Sequence, residues 1–366
     1  MTRIRHIGVL TGGGDCPGMN AALRAVVKTA VYRHGLRVTG FLDGFAGVTE
    51  DRWRPLGFDD VSGILDAGGT ILGTSNRYDP FRVPVHRARA TTYSDRSEAV
   101  AVTLARHEID ALVVVGGDGS LRIADRLAGQ GVPVVAVPKT IDNDVAATDA
   151  SLGFDSARAV ATEAVDRLRS TAASHHRVMV VEVMGRHAGW IALEAGMAGG
   201  ADVILIPEIP WSYEAVAQGI RDRTSRGRRF SIVVVAEGAR CPDGGAVVRQ
   251  VVEGSPEPLR LGGIGAAVAH ALETILPLET RYAILGHVQR GGPPTAADRM
   301  LAIRFGAAAL DAVADGAFGT MVALQGDRIA RVRMADAVAK PKLVDPRGER
   351  VLAARHVRTS FGDETA

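Results

Sequence analysis

Cysteine is scarce in this chain: two in 366 residues, Cys16 and Cys241, with no metal-type spacing. That removes a disulfide framework and a structural zinc site, and points to a reducing, cytoplasmic setting. Aromatic residues make up only 5% of the sequence, and no apolar run approaches the length that crosses a bilayer. A membrane is therefore not expected as a partner. Charge of one sign is also missing, since 43 Lys and Arg against 41 Asp and Glu leave a net +2. So mild a balance, with scattered cations, argues against nucleic acid. The densest basic run, Arg221 to Arg229, is interrupted by Asp222, Thr224, Ser225 and Gly227 and reads as a solvated helix end. A strand-like segment begins within a few residues of Met1, so no signal peptide is expected. The motifs H-E-x-x-H, C-x-x-C and G-x-S-x-G are absent too, which disfavours zinc hydrolases and serine esterases.

What is present is length and an alternating pattern. With 366 residues, 46% of them hydrophobic, the chain suits two cores rather than one. Short apolar runs alternate with longer amphipathic stretches, as in an α/β fold with parallel sheets. Strands are predicted at His6–Leu10, Arg37–Leu42, Ala111–Val115, Val134–Val137, Val178–Glu182, Val203–Ile206, Ser231–Val235 and Tyr282–Leu285. Their Val and Ile content suits strands covered on both faces. Helices are predicted at Pro17–Arg33, Ser97–Arg106, Leu121–Ala128, Ser156–Ala172, Gly189–Ala198, Tyr213–Ser225 and Gly265–Ile275. Pro17 opens the first and Gly35 follows its end, a start and stop signal. The polar, Arg-rich stretch after about Pro341 reads as a surface-lying tail.

Two glycine-rich turns, Gly12-Gly13-Gly14-Asp15 and Gly116-Gly117-Asp118-Gly119-Ser120, each join a strand to a helix. Such junctions let backbone N–H groups and the helix dipole close on phosphate. The first is not a dinucleotide fingerprint, because Pro17 stands where the last glycine would be, and no Gly-Lys-Ser/Thr makes a Walker loop. Asp118 would repel bare phosphate, and makes sense with Mg²⁺ between them. After the second turn comes Pro138-Lys139-Thr140-Ile141-Asp142-Asn143-Asp144. If that segment is extended, Asp142 and Asp144 project to one side. Either could hold Mg²⁺ or accept a proton from an attacking hydroxyl, although Asp-Asn-Asp also suits an ordinary loop. Asp142 is the candidate acceptor, with Thr140 and Lys139 holding phosphate beside it. Cys16, inside the first turn, is expected to be a packed residue rather than a nucleophile.

Met184-Gly185-Arg186, Glu237-Gly238 and His287-Val288-Gln289-Arg290-Gly291-Gly292 each follow a predicted strand. Ligands in open parallel sheets bind beyond the carboxyl ends of strands, so these positions converge on one crevice. Together they supply cations for a phosphate and a carboxylate for sugar hydroxyls.

In this order TGGGDCPGMNAALR, GGDGS, PKTIDND, VVEVMGRHAG and LGHVQRGG resemble the 6-phosphofructokinases over roughly residues 5–340. The resemblance implies two Rossmann-like three-layer α/β/α lobes. The donor (ATP/Mg) domain would take residues 1–153 plus about 288–338, and the fructose-6-phosphate domain 154–287 plus about 339–366. The lobes are expected to close over the substrates. It further implies that Asp142 is the catalytic base, that Asp118 coordinates Mg²⁺, and that Arg186 stabilises the transferring group. Thr140, Asp144, Met184 with Gly185, and Glu237 would bind sugar, while His287 and Arg290 would hold its 6-phosphate. Gly13, Gly14, Arg77, Gly117, Gly119 and Ser120 would bind donor phosphates. Arg177 and Arg281 would reach a neighbouring subunit's site, implying a homotetramer or a homodimer. Arg24, Lys28, Arg169, Asp202, Arg226 and Arg228 resemble an effector pocket for phosphoenolpyruvate or a nucleoside diphosphate.

The donor motif is mixed, since Lys139 resembles pyrophosphate-dependent members and Gly119 resembles ATP-dependent ones. An aspartate at 119 would obstruct and repel a nucleotide's α-phosphate, whereas a lysine at 139 only adds a cation. ATP is therefore the expected co-substrate and pyrophosphate the alternative. A non-catalytic sugar-phosphate or nucleotide sensor is the alternative of another class.

Overall fold

The computed structural model describes residues 4–87, 90–241, 245, 247–251 and 259–363. Contacts divide the chain into two compact units. The first is Met1–Ile141, Val145–Ser156 and Arg290–Pro341; the second is Asp142–Asp144, Ala157–Gln289 and Lys342–Ala366.

In chain order come β1 (His6–Thr11), α1 (Met19–His34), β2 (Arg37–Phe41), α2 (Phe45–Thr49), β3 (Trp53–Pro55), β4 (Val83–Arg87) and β5 (Ala90–Ser94). They are followed by α3 (Ser97–Arg106), β6 (Ala111–Gly116), α4 (Asp118–Gly129), β7 (Val134–Pro138) and α5 (Phe154–His175). Then come β8 (Val178–Val183), α6 (Trp190–Ala198), β9 (Val203–Leu205), α7 (Tyr213–Ser225), β10 (Ser231–Ala236), β11 (Val248–Val251) and β12 (Leu259–Leu261). After α8 (Ile264–Ile275) and β13 (Thr280–Ile284) lie α9 (Ala296–Ala314), β14 (Thr320–Gln325), β15 (Arg328–Arg333), α10 (Met334–Val338) and α11 (Glu349–His356).

The first unit holds a seven-stranded sheet in the order β15-β14-β7-β6-β1-β2-β3. Its five inner strands run parallel, and β15 and β3 close the edges antiparallel. Along β6 the side chains alternate between two cores, as a period of two requires. Val113 and Val115 pack with α1 and α9 through Val26, Phe305 and Ala309. Leu112 and Val114 pack on the other face with α3, α4 and α10 through Val100, Leu127 and Met334.

The predicted stop of α1 is observed: Gly35 has φ 62 and its N–H donates to the Ala30 carbonyl. The start lies two residues later than Pro17, with Gly18 as N-cap. Helix α9 and strands β14 and β15 were not predicted. The sequence of α9 is apolar or small on every side, so its period is weak. It sits against α1, and a Cβ on Gly306 would stand 2.5 Å from the Ala25 Cβ.

The second unit carries a four-stranded parallel sheet in the order β13-β8-β10-β9. Strands β8 and β10 are wholly buried, as predicted. Strand β13 departs from the expectation of cover on both faces: it is an edge, with Tyr282 53% and Ile284 47% exposed. The stretch after Pro341 corrects the expectation of a surface tail. Val344, Val351, Ala354 and Phe361 are buried in it. Trp190 Nε1 donates to the Lys342 carbonyl at 2.8 Å, and Ile204 N to that of Ser360 at 2.9 Å. Backbone bonding to β9, rather than dense hydrophobicity, holds this segment down.

Cys16 is fully buried, and burial pushes its thiol up to about 12. The thiolate is the reactive form, so Cys16 should resist iodoacetamide at neutral pH in the native protein. Peptide mass spectrometry should find it unmodified until denaturant is added.

Candidate active site

The second glycine turn opens α4, and no side chain caps that helix. The first-turn N–H groups of Asp118, Gly119 and Ser120 thus remain donors for an anion. The helix begins three residues earlier than predicted, which brings these residues into its first turn. Glycine has a packing reason at Gly117, where a Cβ would press the Lys139 carbonyl at 3.0 Å. At Gly12, likewise, a Cβ would meet Ser120 Oγ at 2.5 Å. At Gly119 a Cβ would meet nothing within 4 Å.

The first turn differs from expectation. The Gly12 N–H is already bonded to the Val115 carbonyl and the Gly13 N–H to that of Ser75. Its contribution therefore lies at Gly14 and in what surrounds it. Lys139, 2% exposed, donates its Nζ to the Gly14 carbonyl at 2.5 Å. Arg290 Nη1 donates to the Asp15 carbonyl at 3.1 Å. Thr140 lies beside the second turn, since a Cβ on Gly117 would be 3.6 Å from its own. Two cations, a hydroxyl residue and a helix N-terminus thus gather in the first unit.

The Asp142–Asp144 segment is a turn rather than an extended strand, because Asn143 adopts φ 51. The alternation argument that put both carboxylates on one side therefore fails. Asn143 Oδ1 accepts from Lys342 Nζ at 3.0 Å, and Asp144 O from the Lys342 N–H at 2.8 Å. Both Asp142 and Asp144 are half-buried.

In the second unit the carboxyl ends of β8, β10 and β13 do converge. The Glu237 N–H donates to the Val183 carbonyl, and the Gly238 N–H to that of Gly185. Met184 N donates to Oε1 of the wholly buried Gln289 at 3.3 Å, and Gln289 Nε2 donates to Gly286 O at 3.0 Å. One amide thereby ties the Met184-Gly185-Arg186 loop to the turn bearing His287. Arg186 Nη1 reaches the Leu259 carbonyl at 2.8 Å. Arg177 and Arg281 are not brought there. Both pair with Glu279 at the amino ends of β8 and β13, Arg177 Nε at 2.5 Å.

A phosphofructokinase family model matches residues 6–313. The chain belongs to that family. It is 46% identical over 365 residues to ATP-dependent 6-phosphofructokinase 2 of Clostridium perfringens, covering 99% of this chain and 100% of that one. It is 51% identical over 344 residues to the pyrophosphate–fructose 6-phosphate 1-phosphotransferase of Amycolatopsis methanolica, covering 93% and 96%. Among solved structures it resembles phosphofructokinase of Pichia pastoris in the T-state, with TM-score 0.80 and 34% identity. That match covers 98% of this chain but 37% of the solved one.

Two cavities of this phosphofructokinase are lined by described residues. The smaller, about 420 Å³, lies in the first unit, lined by Asp43, Ala46, Arg52, Thr74, Ser75, Arg77, Tyr78 and Pro84. It adjoins the first turn, because Thr74 Oγ1 donates to the Gly13 carbonyl at 2.7 Å and Ser75 accepts from Gly13. The larger, about 850 Å³, lies in the second unit, and its lining includes Arg169, Asp202, Arg226, Arg228 and Arg358. It is remote in the sheet from the Met184 loop, being built on α7 and the segment after α11. Four residues of the expected effector pocket line it. Arg24 and Lys28 belong to the first unit, where Lys28 Nζ lies 4.3 Å over the Phe58 ring.

Gln289 and Asp43 carry no role in the sequence reading. The signal for Gln289 is its place inside His287–Gly292, one polar residue amid donors. For Asp43 it is the position just past β2, beside the strand that ends in the first turn. Gln289→Leu should destabilise the protein by about 1 kcal/mol, because the half-buried Met184 N–H and Gly286 carbonyl lose their partner. Urea unfolding, with its slope unchanged, measures the loss.

Among the described residues no group of three or more His, Cys, Asp or Glu could hold a metal ion. Asp118, 45% exposed and held by Arg122 Nε at 2.8 Å, offers one carboxylate. That fits Mg²⁺, which takes one or two carboxylates and completes its shell with water and substrate phosphate.

Proposed function

We propose that this phosphofructokinase moves the ATP γ-phosphoryl group to the 1-hydroxyl of fructose 6-phosphate, giving fructose 1,6-bisphosphate. The observation that carries ATP as donor is the cavity of about 420 Å³ joined to the first turn through Thr74 and Ser75. A nucleoside would fill it, and pyrophosphate has none. The open space around Gly119 supports the same reading. Gly13, Gly14, Arg77, Gly117, Gly119 and Ser120 surround the donor phosphates in this reading. Asp118 would hold Mg²⁺, which when bound neutralises charge on the phosphates. Thr140 and Lys139 hold the transferring group, and Arg186 stabilises it.

On the acceptor side, Asp142 takes the proton from the 1-hydroxyl as that oxygen attacks phosphorus. The leaving diphosphate keeps the bridging electron pair. Asp144, Met184, Gly185 and Glu237 hold the sugar, and His287 and Arg290 its 6-phosphate. Arg177 lies seven residues before Met184 along β8, roughly 23 Å of extended chain, which exceeds an arginine's reach. If Arg177 and Arg281 bind this substrate, they do so in a second copy of the chain. That supports a homo-oligomer with shared sites. The arginine-lined cavity of about 850 Å³ supports control by a phosphorylated metabolite. The two free cysteines support a cytoplasmic setting, and no helix among the described residues could cross a membrane.

The second reading, pyrophosphate as donor, is favoured by Lys139 and by the name of the Amycolatopsis relative. Initial rates with Mg-ATP and Mg-pyrophosphate separate the two, and a pyrophosphate-only rate would reverse the assignment. Gly119→Asp should lower kcat/KM for ATP by at least tenfold. Asp142→Asn should keep fructose 6-phosphate binding while turnover falls by about 10²–10⁴, as expected for loss of a general base. Mixing Asp142→Asn with Arg281→Ala after dissociation and reassociation should restore activity, since hybrid oligomers regain some intact sites. No recovery would place Arg281 outside the site.

A further inference from the structure

The cavity beside the first turn has an acidic residue at an unexpected place. Asp43 follows β2, sits in the left-handed region at φ 55, and is held there by its N–H bond to the Leu72 carbonyl at 2.9 Å. Aspartate is among the non-glycine residues that adopt this conformation most readily. Gly73, itself at φ 68, would drive a Cβ into Asp43 Oδ1, so the chain there makes room for the carboxylate. Arg52 Nη1 donates to Asp43 Oδ2 at 2.5 Å, and Arg52 is in turn tied to Leu42 and to Glu50. Arg52 thus lies between two carboxylates and fixes that of Asp43, which keeps lone pairs for further donors.

The cavity walls divide by chemistry. Ala46, the Tyr78 ring and Pro84 are apolar and suit the face of a base. Thr74, Ser75 and Arg77 lie toward the phosphate turn. Asp43 follows the second strand, the position from which an acid accepts from ribose hydroxyls in dinucleotide-binding sheets, although this chain lacks their glycine fingerprint.

We propose that Asp43, positioned by Arg52 and Gly73, accepts a hydrogen bond from the ribose diol of the nucleoside triphosphate donor and so selects nucleotides over inorganic phosphates. The inference rests on the ATP reading above. No bond is made or broken by Asp43; it acts on binding alone.

The test compares ATP, 2′,3′-dideoxy-ATP and inorganic pyrophosphate as donors for wild type, Asp43→Gly and Asp43→Asn. Glycine suits the positive φ, and asparagine keeps the shape. Wild type should favour ATP over the dideoxy analogue by about ten- to hundredfold in kcat/KM, the scale of one hydrogen bond to a charged group. Asp43→Gly should bring that ratio within about twofold by raising the ATP KM. Its kcat and its KM for fructose 6-phosphate should be unchanged, with Asp43→Asn intermediate. A turn-forming role alone would move stability and leave the ratio intact. Equal use of both nucleotides by wild type, or an unchanged ratio in Asp43→Gly, overturns the assignment. A wild type that uses pyrophosphate but neither nucleotide instead overturns the donor reading, and this inference with it.

Discussion

A buried ammonium group organises the first unit. Lys139 is almost wholly enclosed, and the Gly14 carbonyl is one of its partners. A cation removed from water needs strong compensation. The nearby α4 N-terminus adds positive partial charge of its own. The backbone around Lys139 is correspondingly fixed: its N–H bonds to Gly116 and it bridges to Leu152, while Gly13 packs near its head. Both glycine turns are thus held by one side chain and its backbone.

Parts of this were legible in the sequence because they rest on strong local signals. The Val-rich runs of β1, β6, β7, β8 and β10 have one physical reading, strands buried on both faces. Gly35 stops α1 because its φ of 62 favours glycine. Other features rest on tertiary contacts that no local window shows. Helix α9 gains its place by the Gly306 approach to α1. The last segment is pinned by hydrogen bonds of Ser360 to Ile204 in β9 and to Asp202, over 150 positions away. Asp142-Asn143-Asp144 read as extended because its left-handed residue is an asparagine, which declares a turn less firmly than glycine.

The residues proposed to bind the acceptor show how a parallel sheet concentrates loops at one end. Met184, Glu237 and His287 come from three different strands, yet backbone bonds and the Gln289 amide draw their loops together. Sequence order predicted that convergence, since strand ends on one edge face one crevice. It could not supply the amide that fixes it. The same sheet puts Arg177 and Arg281 at the other end, where Glu279 pairs with both and Glu273 also pairs with Arg281. Exposed Tyr282 and Ile284 on the same edge strand mean that this border is unfinished as a folding unit.

The glycines of the two turns separate structural demand from ligand demand. At Gly12, Gly116 and Gly117 a Cβ would strike Ser120 or the Lys139 carbonyl, so packing alone requires glycine. Gly119 is different. It lies in the first turn of α4, where its φ is not left-handed and a Cβ would touch nothing. Within a helix, glycine costs about 1 kcal/mol against alanine. The fold therefore gains nothing from glycine at 119. What does gain is a bulky anion that must pass close to the helix N-terminus, and a nucleotide's α-phosphate is larger in this respect than pyrophosphate. In the proposed reading Lys139 serves either donor, while the space at Gly119 serves the nucleotide alone.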